Sequence, residues 1–172
     1  MKRRQFITQA GMGIAATGAL FSNVNAEELP SIKWRITSSF PKNLDILFSA
    51  ATHMSERINE LSQGKFQIQA FAAGEIVPGA QVFDAIQQGT VEMGHTASYY
   101  AHGKNKALSI DTTLPFGLTA RQQNAWLYAG GGLELLRELF AKYNIVNFPA
   151  GNTGTQMGGW FRKEVNTVED LK

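Results

Sequence analysis

Apolar and polar residues follow two different periods in the chain beyond residue 30. Residues 32–37 and 65–71 alternate with a period of two, which predicts two β-strands. Between them, apolar residues from Leu44 to Leu61 recur at spacings of three, four and seven. This spacing predicts an amphipathic helix that buries one face. Gly64 then stands where a C-terminal helix cap is expected.

The rest of the chain continues to alternate strands with helices. A second helix is predicted at 80–88, and Thr119 is the expected N-cap of a long helix that Gly130, Gly131 and Gly132 interrupt. Further strands are predicted at 91–99, 144–149 and 156–162. This order predicts an α/β fold with a mainly parallel sheet flanked by helices.

Open parallel sheets bind ligands at the carboxyl ends of their strands, so the loops that follow the predicted strands are the candidate binding segments. These loops are 38–40, 72–78, 98–102 and 151–155. Tyr100 closes one predicted strand; its ring and hydroxyl suit a small ligand with one polar end, and suit a core or an interface equally well. Segment 151–156 reads Gly-Asn-Thr-Gly-Thr-Gln. It offers donors and oxygens for a carboxylate or a cation, and it is also a common turn composition.

The first 26 residues have the composition of an export signal rather than of a folded domain. Lys2, Arg3 and Arg4 precede an uncharged, Gly- and Ala-rich apolar run, and the pair Arg3-Arg4 resembles a twin-arginine address. Three of the 16 basic residues lie in this leader, which leaves 13 basic against 14 acidic residues, a net charge of −1. A nucleic-acid partner and direct membrane insertion after signal cleavage are therefore not expected.

Catalytic motifs are scarce. The chain has no cysteine, which excludes thiol catalysis, Cys-zinc sites and iron–sulfur clusters. Neither a Gly-x-Ser-x-Gly nor a His-Glu-x-x-His motif is present. His53, His95 and His102 are not at metal-ligand spacing, and His53 and His95 are interpreted as structural. The sequence predicts a binding protein rather than an enzyme.

Two segments carry a resemblance to a known family. Together with the leader, GAQVFDAIQQGTVEM at 79–93 and GNTGTQMGGWFRKEVNTVEDLK at 151–172 resemble the substrate-binding proteins of tripartite ATP-independent periplasmic (TRAP) transporters. The stretch GNTGTQMGGWFRK is similar to the branch that binds 2-oxo acids such as pyruvate. The resemblance implies two α/β lobes that close over a carboxylate. The first lobe would occupy 27–152, and 153–172 would be the hinge crossing and the start of a truncated second lobe.

The resemblance also implies site residues. It places a metal-coordinating glutamine at Gln156, a substrate-contacting asparagine at Asn152 and a pocket tyrosine at or beside Tyr100, with Phe40 as an apolar wall. The implied ion is sodium or calcium, with no organic cofactor. The carboxylate-binding arginine of the family would lie beyond Lys172, so Arg162 is not assigned that role.

The resemblance finally implies a role and a location. The protein would reside in the periplasm, reach it by the twin-arginine route, and deliver a small carboxylate to the membrane permease of the transporter. Two alternatives remain open: a receptor of the same type for another organic acid, such as lactate or a sugar acid, and an exported enzyme acting on a small organic acid.

Overall fold

The structure is a computed structural model, and it describes residues 30–112, 114–154, 156 and 158–172. These residues, from Ser31 onward, form one compact unit that extends to Lys172. The leader predicted at 1–26 lies outside the described residues. Within the described part of the chain, no helix is long and apolar enough to cross a bilayer.

A three-stranded parallel sheet forms the centre of the unit. The strands are β1 (Ile32–Ser38), β2 (Phe66–Phe71) and β3 (Met93–His95), in the order β2-β1-β3. β1 pairs with β2 along its length, from Ile32 opposite Phe66, and its last three residues pair with β3. The three carboxyl ends therefore meet at one edge. The predicted α/β class with a parallel sheet is confirmed.

Helix α1 (Asp45–Leu61) covers one face of the sheet. Ala51 packs with Ile36 of β1 and Ile68 of β2, and Met54 and Ile58 border this cluster. These are side chains of the predicted apolar face, which explains why the helix forms where the spacing predicts it. Beyond α1, Gly64 adopts a φ of +80° and its N–H donates to the carbonyl of Asn59 at 2.8 Å, as a C-terminal cap requires.

Helix α2 (Val82–Gln87) follows a 3-10 turn, Gly79–Gln81, and buries Val82, Phe83 and Ala85. It packs closely on β3: the two elements are so near that a Cβ on Gly94 would overlap the side chain of Ile86. Only glycine at that position allows the helix and the strand to approach this far. The helix predicted at 80–88 is confirmed.

The long interrupted helix is two helices, α3 (Ala120–Ala129) and α4 (Gly132–Ala141). Thr119 and Gln122 form the N-terminal capping box of α3. Gly131 has a φ of +80°, and a Cβ on Gly132 would lie 2.5 Å from the indole of Trp126, so the glycines make both the break and a close contact. The two helices contribute to a second core, whose buried members are Phe83, Ala101, Leu108, Leu127, Leu136, Phe140 and Ile145.

The later strand predictions are wrong or only partly right. The strand predicted at 91–99 is confirmed only for Met93–His95, and Ser98–Ala101 is a 3-10 turn. Residues 144–149 form no strand, and neither do the described residues of 156–162. A strand needs a hydrogen-bonded neighbour, and the described part of the chain provides none beside these segments. Near the end, Glu169–Leu171 forms one 3-10 turn.

Candidate functional site

The carboxyl edge of the sheet is a cluster of polar side chains, Ser38, Ser39, His95 and Thr96, grouped around Phe40; we call it the edge cluster. β1 ends at Ser38 and β3 at His95, so the parallel register places their side chains next to one another. Ser38 Oγ lies 3.2 Å from His95 Nδ1 and accepts the backbone N–H of Phe40 at 3.1 Å. Burial lowers the pKa of His95, which favours the neutral form of its ring.

Phe40 is fixed by contacts to its backbone and to its ring. Its carbonyl accepts the N–H of Ala73, from the loop after β2, at 3.1 Å. Its ring meets the imidazole of His95 edge to face, with 5.1 Å between centroids and an interplanar angle of 63°. The side chain is half-buried. An apolar ring therefore stands at the carboxyl edge with part of its surface free to meet a ligand.

Ser39 connects the first loop to the segment that begins α2. Its Oγ lies 2.6 Å from the carbonyl oxygen of Gly79 and 2.6 Å from Thr96 Oγ1. Its N–H donates to the carbonyl of His95 at 2.8 Å. Both Ser38 and Ser39 are buried, and their hydroxyls are satisfied by His95, by Thr96 and by the backbone instead of water. The loop is therefore a fixed platform.

A charged pair ties the loop after β1 to the loop after β2. Glu75 lies 2.5 Å from the ammonium of Lys42, and its other oxygen accepts the N–H of Ala72 at 2.7 Å. The hydrogen bonds from Lys42 and Ala72 hold the pKa of Glu75 below its usual range. The end of the loop after β1 is thus joined to the predicted binding loop 72–78.

Tyr100 lies in the 3-10 turn after β3, half exposed, with its ring 4.6 Å from that of Tyr99. The turn is anchored at Ser98, a buried residue whose hydroxyl makes a short hydrogen bond to the carboxyl of Asp111. Burial raises the pKa of Asp111. The anchor fixes the turn that carries Tyr100, while the tyrosine itself remains accessible.

Asn152 and Gln156 lie beyond α4, outside any helix or strand, and both are exposed. Asn152 Nδ2 donates to Asn124 Oδ1 of α3 at 3.0 Å, and Gln156 Nε2 donates to Thr153 Oγ1 at 2.9 Å. Each amide thus has its nitrogen engaged, which leaves its oxygen as an available acceptor.

The four predicted site residues are not brought together by direct contacts. No hydrogen bond or ring contact among the described residues joins Phe40, Tyr100, Asn152 or Gln156 to another member of this set. The described residues also contain no group of three or more His, Asp or Glu side chains able to hold a metal ion. A concave surface lined by Lys33, Trp34 and Asn59 lies at the middle of β1, away from the carboxyl edge.

The sequence identified the edge cluster only in part. The loop 38–40, which contains Ser38 and Ser39, was a candidate binding segment, but neither serine was given a role. Thr96 was not a candidate, and His95 was interpreted as a structural residue. The available signal was position: Ser38 and His95 end two strands that a parallel sheet places side by side.

Solved structures share this architecture. A TRAP solute-binding protein from Bordetella bronchiseptica, with copurified calcium and picolinate, is 53% identical, with a TM-score of 0.79 over 83% of this chain and 42% of that one. One from Colwellia psychrerythraea, with calcium and pyruvate, is 42% identical, with a TM-score of 0.80 over 83% and 43% of the two chains. One from Pseudoalteromonas atlantica, with sodium and pyruvate, is 45% identical, with the same TM-score and coverage. The fold is therefore one α/β lobe of a solute-binding protein.

Sequence comparisons define the family. The model of the bacterial extracellular solute-binding proteins of family 7, DctP, matches residues 37–172. The monocarboxylate 2-oxoacid-binding periplasmic protein of Nostoc sp. is 51% identical over 178 residues, which cover 100% of this chain and 48% of that protein. The chain belongs to the DctP family of TRAP solute-binding proteins, which confirms the resemblance of its motifs. It spans about half the length of these relatives.

Proposed function

We propose that the full-length protein is the periplasmic substrate-binding component of a TRAP transporter. It captures a small carboxylate, a 2-oxo acid such as pyruvate, and delivers it to the membrane permease. The observation that carries the proposal is the edge cluster, where buried Ser38 binds the backbone of Phe40 and His95 packs against its half-buried ring at the carboxyl ends of parallel strands. Relatives that are 42–53% identical and are named or solved with 2-oxo acids or picolinate support it.

The ligands of those relatives share a chemical feature. Pyruvate and picolinate each carry a carboxylate beside a second acceptor, a keto oxygen or a ring nitrogen, and this pair suits a chelated cation. Calcium prefers six to eight oxygen ligands. The free oxygen of Gln156 fits such a site as one neutral ligand, because its nitrogen is held by Thr153. We propose that sodium or calcium bridges Gln156 to the carboxylate.

The remaining site residues take roles that follow from their chemistry. Asn152 contacts the substrate through its free amide oxygen, and the hydroxyl of Tyr100 lines the pocket. Phe40 forms the apolar wall against the alkyl end of the acid. Several donors must converge on a short anion, because burying a carboxylate without partners costs on the order of several kcal/mol. We propose that the carboxylate-binding arginine lies beyond Lys172.

We further propose the domain boundaries and the export route. Residues 27–152 form the first lobe, 153–172 form the hinge crossing and the start of a second lobe, and 1–26 are a twin-arginine signal. A reporter fused to residues 1–26 tests the route. Export should stop when Arg3 and Arg4 are both replaced by lysine, and unchanged export would reject the twin-arginine assignment.

Thermal unfolding of the mature, full-length protein tests the main proposal. After a chelator has removed bound metal, the protein is titrated with pyruvate, lactate or sialic acid, with and without added calcium or sodium. Binding to the folded state stabilises it by about 2.7 kcal/mol at 100 times the Kd, so pyruvate with cation should raise Tm. If no monocarboxylate raises Tm, the 2-oxo-acid proposal is rejected.

The same protein preparation also tests two other functions. A larger shift with lactate or sialic acid would assign a different organic acid. Product formed from pyruvate during prolonged incubation would favour an exported enzyme. The described residues offer hydroxyls and amides at the carboxyl edge. The candidate for acid–base chemistry there is His95, and its Nδ1 is hydrogen-bonded to Ser38.

A further inference from the structure

His95 and its partner Ser38 both contact Phe40. Two contacts reach Phe40 from these residues, and a third joins the two residues to each other. Ser38 Oγ accepts the N–H of Phe40 at 3.1 Å and lies 3.2 Å from His95 Nδ1. The imidazole then meets the ring of Phe40 directly, 5.1 Å between centroids.

Several contacts restrain His95. Burial favours the neutral ring, and His95 Nδ1 shares a hydrogen bond with Ser38 Oγ whose donor depends on the tautomer of the ring, while Ser38 Oγ also accepts the N–H of Phe40. The backbone of His95 is fixed as well, because it ends β3 and its carbonyl accepts the N–H of Ser39 at 2.8 Å. The ring of His95 therefore has little freedom to move away from Phe40.

We infer that His95 is a positioning residue that sets the size of the space open to the alkyl end of the ligand, by holding the ring of Phe40 in place. This inference rests on the proposed function, in which Phe40 is the apolar wall. A wall that cannot retreat discriminates by length: pyruvate fits, and each added methylene must push the ring of Phe40 towards that of His95. One methylene in an apolar pocket changes selectivity by roughly 10–200-fold.

The test compares affinities of the full-length protein for pyruvate, 2-oxobutanoate and 2-oxopentanoate, measured by calorimetry with calcium present. In His95→Ala, the preference for pyruvate over 2-oxobutanoate should fall about tenfold or more, because the ring of Phe40 gains room. His95→Asn keeps a hydrogen-bonding partner for Ser38 but lacks the ring, so it should lose the preference too. His95→Phe keeps a ring and should retain it within about threefold, well inside the effect of one methylene.

Two further variants separate positioning from folding. Phe40→Ala should relax the same preference, and combining it with His95→Ala should add little, because both act on one wall. His53→Ala, at an exposed histidine of α1, is the matched control and should leave the preference unchanged. Equal weakening of all three acids in both His95→Ala and His95→Asn would mean a purely structural role and would overturn the inference. If the unaltered protein bound none of the acids, the proposed function would fail, and the inference with it.

Discussion

Ser39 and Gly79 are in direct contact across the loops that begin α1 and α2. The hydroxyl oxygen of Ser39 lies 2.6 Å from the carbonyl oxygen of Gly79, and a Cβ on Gly79 would lie 2.6 Å from the carbonyl oxygen of Ser39. Backbone meets backbone here, so no flexible side chain could yield to a larger residue. Gly79 is the first glycine of the segment GAQVFDAIQQGTVEM. Its lack of a side chain allows the segment before α2 to pack directly against Ser39 of the edge cluster.

Replacing Gly79 with alanine should destabilise the protein by about 1–3 kcal/mol, the usual cost of forcing an extra carbon into a packed contact. It should also weaken pyruvate binding, because the loop of Ser39 and Phe40 must move. Urea unfolding and calorimetry measure the two effects. Gly103→Ala is the matched control, since its Cβ would meet nothing within 4 Å. Equal stability of the two variants would contradict the contact.

The ion pair of Arg35 and Glu92 should make stability depend on pH. Arg35 contacts both carboxylate oxygens of Glu92, each at 2.8–3.1 Å, and its guanidinium also donates to the carbonyl of Thr90 at 2.8 Å. The hydrogen bonds from the side chain and backbone of Arg35 lower the pKa of Glu92 to about 2. A lowered folded-state pKa means stability that is present above the unfolded pKa of about 4.5 and is lost as pH falls towards 2.

Glu92→Gln should therefore lower the free energy of unfolding at pH 7 and leave it nearly unchanged near pH 2. The loss should be modest and should shrink in 1 M salt, because both side chains are partly exposed and solvent screens them. Urea unfolding at several pH values measures it. Glu60→Gln, in the exposed pair with Arg57 within α1, is the comparison and should change stability less. A constant difference between the unaltered protein and Glu92→Gln at every pH would contradict the linkage.

The sequence predicts those elements whose contacts are contained in a local pattern. Helix α1 was expected at 44–61 and is found at Asp45–Leu61, because its apolar spacing alone defines the buried face. The strand expected at 91–99 ends instead at His95. Thr96 and Ser98 bond to Ser39 and Asp111, which are 57 and 13 residues away along the chain. Periodicity carries no information about such partners.

The candidate site was predictable to a similar extent. Phe40 was expected from the loop that follows the first strand, and the structure places it at the carboxyl edge. The neighbours that fix it were not expected, because Ser38 and His95 become adjacent only through the register of two parallel strands. A serine next to a phenylalanine has no distinguishing pattern by itself. The predicted strand ends indicated the edge, and only the three-dimensional pairing assembled the cluster.

Asn124 of α3 should support the proposed substrate contact of Asn152. Its side-chain oxygen holds the amide nitrogen of Asn152 at 3.0 Å, which directs the free oxygen of Asn152. Asn124→Leu should weaken pyruvate binding about three- to tenfold, the equivalent of one ordinary hydrogen bond, whereas Asn124→Asp keeps an acceptor and should bind nearly normally. Calorimetry on the full-length protein measures both. Identical affinities for the two variants would mean that Asn124 does not support a contact between Asn152 and the ligand.

Gln156→Ala should weaken ligand binding mainly through the cation. If the side-chain oxygen of Gln156 is one of the ligands of calcium or sodium, its removal lowers affinity for the ion, and pyruvate affinity should then recover as the calcium concentration is raised. Titrating pyruvate at several calcium concentrations measures this coupling, which linkage requires to be reciprocal. Thr153→Ala is the informative companion, because it removes the partner of Gln156 Nε2 but not the proposed ligand atom, and should have a smaller effect. Calcium-independent loss of affinity in Gln156→Ala would assign Gln156 to the substrate instead of the ion, and unchanged affinity would remove it from the site.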